Sequence, residues 1–108
     1  MPMVHEFGIM LTDPQPGENY IDYEPEKYSC VTVHDEIVEK FGDHVLCDLP
    51  CYWCTVDRPA KGLAYCGITL IPPTSLPVLL QAAGESVPLQ RLVEKAMAEN
   101  RFIIHFGL

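Results

Sequence analysis

Apolar positions along the chain fall into blocks whose spacing changes from one to the next. Met3 to Leu11 alternates imperfectly, with His5 and Glu6 side by side, and reads as a first strand. Asp13-Pro14-Gln15-Pro16-Gly17 stops it. A loop rich in proline and tyrosine follows to about Lys27, long for a small domain. Its Tyr20 and Tyr23, with Tyr28 just beyond, fit half-buried side chains that fasten the loop to the body. Tyr28 to Val33 is a short β-prone run. Asp35 to Phe41 then places Ile37, Val38 and Phe41 at helical spacing, with Gly42 as the stop.

Cys51 to Val56 is aromatic and β-prone, and Leu63 to Ile71 carries no charge and hardly alternates. The second of these predicts a strand covered on both faces. The two together predict a hairpin across residues 57–62. Pro72-Pro73 ends the strand, and Thr74 or Ser75 is placed to cap a helix that Gly84 closes. Leu89, Leu92, Val93, Ala96 and Met97 form one apolar helical stripe, with Ser86 as N-cap and Asn100 in the left-handed terminating position. Phe102 to Phe106 is a last strand, apolar except for His105, and belongs inside a sheet. The sum is a single α+β domain over residues 1–108. A mixed sheet of about five strands with two or three helices on one face is expected.

Charge narrows the partners. The net charge is −8, and residues 13–48 hold ten acids against Lys27 and Lys40, while the rest of the chain balances. No basic stripe is available to neutralise nucleic-acid phosphates or to meet an anionic membrane. A basic protein or a small ligand fits the charge, and the acidic stretch also serves solubility. The longest uncharged segment, 62–84, is broken by three prolines and does not read as a membrane span. No secretory pattern opens the chain, and the five cysteines are odd in number, so free thiols in a reducing cytoplasm are expected. The contrast between a neutral, apolar C-terminal half and an acidic stretch points to a homodimer, with the C-terminal half or residues 51–71 at the contact.

Three clusters carry candidate chemistry. Cys47-Asp48-Leu49-Pro50-Cys51-Tyr52-Trp53-Cys54 has the spacing C-x3-C-x2-C and, with Tyr52, resembles the cluster-binding motif of radical SAM enzymes. The likeness covers eight residues of 108; the glycine-rich segment that follows in those enzymes is absent, and the chain cannot build their (β/α) barrel. His44, Cys47, Cys51 and Cys54 also have ligand types suited to structural zinc, but a strand over 51–56 would point Cys51 and Cys54 to opposite faces. The same pair could serve redox chemistry, although the strand and turn that follow supply no helix N-terminus to lower a thiol pKa. As small buried hydrophobes, the cysteines need no chemistry at all.

The third cluster depends on strand pairing. If the first and last strands pair, His5 and His105 come together with Glu6 or Tyr65 nearby, an acid–base set for a small enzyme. His34 or Asp35 fits a helix cap better than a catalytic role. No phosphate loop or nucleophile elbow is present. The expectation is a binding or regulatory module with no cofactor and no metal. The alternatives are a small enzyme using His5 and His105 or a cysteine pair, and a zinc-stabilised module through His44, Cys47, Cys51 and Cys54.

Overall fold

A computed structural model describes residues 3–108. The strands are β1 (Val4–Ile9), β2 (Val31–His34), β3 (Pro50–Trp53), β4 (Pro59–Lys61), β5 (Ile68–Ile71) and β6 (Ile103–Phe106). The helices are α1 (Asp35–Glu39), α2 (Asp43–Leu46), α3 (Leu76–Ala82) and α4 (Val87–Glu99). The fold is α+β, as expected. The sheet has six strands in the order β2-β1-β6-β5-β3-β4, and every ladder is antiparallel, where a mixed sheet of five had been expected. The sixth strand is β4, which forms inside the stretch read as a loop. Cys54 takes φ 65°, and the bonds Arg58 N to Thr55 O and Trp53 N to Arg58 O close a tight turn that returns the chain along β3.

Residues 62–67 leave the sheet, so the uncharged run becomes a strand only at Ile68. Gly62 N donates to Leu49 O and Leu63 N to Val45 O, holding this segment against the end of α2. The central positions of β5 and β6 account for their lack of alternation: both lie between two strands, with both faces covered.

The helix-side face of the sheet presents Phe7, Ile9, Ile71 and Ile103 to Leu76, Leu79, Leu89 and Val93 of α3 and α4. Ser86 caps α4 through Leu89 N, and Asn100 ends it at φ 55°. Ser75 does not cap α3; its hydroxyl donates to the Pro50 carbonyl instead and ties the helix entry to β3. On this side the sheet is covered by α3 and α4 of the same chain.

The opposite face is covered as well. Leu70, Ile104 and Phe106 pack under Tyr20, Tyr28 and Tyr52, with Tyr23 edge-on to Phe106 at 5.6 Å. The long loop is therefore the second layer of the domain. It lies close enough that a Cβ at Gly8 would meet Tyr28 Cβ at 2.6 Å and Cys30 Sγ at 2.7 Å, so only glycine admits the loop onto β1. Among the described residues, no helix is long and apolar enough to cross a membrane.

Candidate functional site

Pairing of β1 with β6 brings the distant ends of the chain into register, Phe7 opposite His105. His5 and His105 then share the helix-side face of the sheet, 2.9 Å apart from Nδ1 to Nε2, with their rings stacked at 16°. Thr69 lies opposite His105 in the β5–β6 ladder, and its hydroxyl is 3.1 Å from His105 Nδ1. At the other end, His5 Nε2 is 2.9 Å from Asp35 Oδ1, and the Tyr65 hydroxyl bonds the same oxygen. Tyr65 also meets the His5 ring edge-on at 4.7 Å.

The direction of the chain follows from its carboxylate end. Asp35, held below its ordinary value, can only accept, so His5 Nε2 carries the proton that faces it. At the far end Ala64 N–H donates to Thr69 Oγ1 at 2.9 Å, which leaves the hydroxyl hydrogen free to donate onward. With both imidazoles neutral, one arrangement then avoids any clash of acceptor with acceptor or donor with donor. Thr69 O–H donates to His105 Nδ1, His105 Nε2–H donates to His5 Nδ1, and His5 Nε2–H donates to the Asp35 carboxylate. Every ring nitrogen is engaged, and no buried side-chain nitrogen or oxygen lacks a partner among the described residues.

Burial sets the electrostatics. Both histidines are 0% exposed, whereas the Asp35 side chain is 14% exposed. Burial, and then the neighbouring His5, push His105 down to about 3. Hydrogen bonds from Tyr65 and His5 hold Asp35 below its ordinary value. Burial and the bond to Asp35 raise Tyr65. Gly107 closes the end of the cluster: a Cβ there would meet the Tyr65 carbonyl oxygen at 2.0 Å.

Of the residues singled out from the sequence, His5, Tyr65 and His105 are brought together. Glu6 is not among them. It faces the loop side, where the Tyr23 hydroxyl donates to it. His34 is the N-cap of α1, accepting from Glu36 N at 3.1 Å. Asp35 and Thr69 are the members that sequence reasoning missed. In the sequence Asp35 stands beside His34 and fits a cap better than a catalytic role, with nothing to join it to His5, and Thr69 is one hydroxyl in an apolar strand. The available signal was parity, since Thr69 and Ile71 must share a face.

The cysteine cluster disperses. Cys51 is buried, with its thiol donating to the Gly62 carbonyl at 3.1 Å, and burial pushes it up to about 11. Cys54 turns to the loop face among Tyr20, Tyr52 and Phe102. Cys47 and His44 are exposed, Cys47 Sγ lying 3.8 Å from Asp43 Oδ1. Among the described residues, no three His, Cys, Asp or Glu side chains converge on a metal position. All five thiols are free.

Surface depressions lie elsewhere. One, of about 370 Å³, sits at the β3–β4 edge between Tyr52, Pro59, Lys61 and Pro72. Another, of about 220 Å³, lies between the long loop and α4, lined by Leu11, Lys27, Tyr28 and Lys95. A third, of about 470 Å³, lies between Phe41, His44 and Val78. No protein-family model, curated protein or solved structure matches this chain.

Proposed function

We propose that this domain is a binding module that uses no cofactor, and that the His5–His105 cluster is its internal fastening and not an active site. One observation carries the reading: the two histidines are fully enclosed, with every ring nitrogen already paired. A general acid or base must come within hydrogen-bond reach of a reacting atom. Here the reach of each nitrogen ends on another side chain. None of the three depressions described above is lined by His5, Asp35, Tyr65, Thr69 or His105. Two of the thiols are held away from the thiolate, since burial raises Cys51 to about 11 and Cys30 to about 12.

The depressions at the β3–β4 edge and between the long loop and α4 are lined mainly by apolar and aromatic surface with a few polar groups, the make-up of ligand-binding clefts. A small-molecule fragment screen, followed on the backbone amide spectrum together with the histidine ring resonances, tests the reading. It is expected to find ligands whose shifts map onto a surface depression and leave both rings unmoved. Hits that converge on His5, His105 and Tyr65, or a screen with no hit, would overturn it.

A further inference from the structure

The groove around His44 has one lysine and no carboxylate in its lining, but its Lys40 is paired with Glu85. Among the described residues, the cleft at the β3–β4 edge differs in holding a lysine without such a partner. It is lined by Tyr52, Ala60 and three prolines, Pro50, Pro59 and Pro72, and its one charged lining residue is Lys61. No carboxylate lines it, in a chain of net charge −8. The nearest acid in the hairpin, Asp57, is turned to the long loop, where its Oδ2 accepts from Gly17 N at 2.7 Å. Among the described residues, neither Lys61 nor the adjacent Arg58 has a carboxylate within ion-pair distance, whereas Lys27, Lys40 and Arg101 each have one.

The walls are also rigid. Three prolines have fixed φ, β4 is hydrogen-bonded to β3, and the Ser75 hydroxyl holds the Pro50 carbonyl. A site whose walls do not need ordering loses less on binding. Its volume is at the small end of the range of ligand sites.

We propose that this cleft binds a small carboxylic acid, with its carboxylate on Lys61 and its aromatic or aliphatic body against Tyr52 and the prolines. The inference rests on the binding-module reading and assigns it a ligand class. Apolar contact supplies the affinity and the lysine supplies the preference for an anion. For a ligand this small, the dissociation constant is roughly millimolar. An exposed lysine contributes a preference of about two- to fivefold.

The probe is phenylacetate, with phenylacetamide as its neutral counterpart, each titrated into the isotope-labelled chain. Phenylacetate is expected to shift the amides of Tyr52, Ala60, Lys61 and Thr74, and phenylacetamide to bind about two- to fivefold more weakly. Lys61→Gln should remove that difference and Lys61→Arg should keep it. Equal affinities for acid and amide, or a preference that survives Lys61→Gln, would overturn the carboxylate assignment and leave the binding module standing. Shifts confined to the groove around Tyr28, or to the one around His44, would overturn the location and again leave the module. No shift at any surface residue, taken with an empty fragment screen, would remove both.

Discussion

At the centre of the sheet, His5, His105 and Thr69 hold their polar atoms wholly out of water; at the β3–β4 edge, Tyr52, Pro59 and Pro72 line an open cleft whose one charge is Lys61. The centre contains two imidazoles that could move a proton, yet both are fully buried. The edge has the surface, yet no member of the histidine cluster lines it. An enzyme site needs both in one place. Their separation teaches that a titratable cluster marks a site only where it meets a cavity, and that two close histidines are compatible with a core contact.

Removing a member of the central chain gives the largest expected effect. His105→Leu fills a similar volume but leaves the Thr69 hydroxyl without an acceptor and His5 Nδ1 without a donor, both buried. At about 1–3 kcal/mol for each unsatisfied group, the loss should be roughly 2–6 kcal/mol. His105→Gln, which has one acceptor and one donor at its end, should recover much of it. Urea denaturation of the two variants decides the matter. If His105→Leu unfolds at the parent's midpoint, the cluster is not a fastening, and the contrast between centre and edge loses its first half.

That contrast was only partly readable from residues. The stripe on α4 was legible because Leu89, Val93 and Ala96 obey one period, and the burial of β6 because Ile103 and Ile104 leave no polar face. The meeting of His5 and His105 followed once the two end strands were allowed to pair. Asp35 was out of reach because it enters from a different element, at the turn from β2 into α1, and only the β1–β2 register brings it to His5. Strand β4 was hidden because Pro59 reads as a loop signal, although an edge strand tolerates proline on its solvent side. The cleft was illegible for a related reason. It is assembled from Pro50, Pro59 and Pro72, three residues that each look like punctuation in the sequence and become a wall only in space. The second layer formed by the long loop rests on Gly8, whose missing side chain carries no periodic signal.

Acid should weaken the fold through the centre of the sheet. His105 lies at about 3 in the folded chain against an ordinary 6.5. A folded-state value below the unfolded one means that the neutral form is favoured by folding. The contribution is complete above the unfolded value and is lost as pH falls below it. Asp35, also held low, contributes above its ordinary 3.8 and loses that contribution below it, in the same direction. The groups facing the two rings are Asp35, Tyr65 and Thr69, and a proton added to either ring displaces the Thr69 hydrogen from its acceptor. Unfolding free energy is therefore expected to be flat from pH 8 to 7 and to fall below about 6.5, with a slope approaching about 1.4 kcal/mol per pH unit until near the folded value. His105→Gln, which does not titrate, should flatten the upper part of that fall. An unchanged profile in the variant would show that the acid sensitivity arises elsewhere.

The smallest effect lies where the central chain touches water. Tyr65 and Asp35 form its outer end, and the exposure of Asp35 lets solvent replace a lost partner. Tyr65→Phe removes one of two hydrogen bonds to the carboxylate and leaves the other, from His5, in place. The loss of stability should be well below that of His105→Leu, because no buried group is left unsatisfied. The sharper readout is the carboxyl of Asp35. The bond from Tyr65 is the foremost cause holding it low, so its titration midpoint, followed by carbon NMR, should rise toward 3.8 in the variant. The His5 and His105 ring resonances should stay in place, since their shared bond does not involve the phenol. If the rings move as far as the carboxyl does, Tyr65 is a member of the buried chain and not its cover. The boundary between the sealed centre and the open surface would then lie one residue further out.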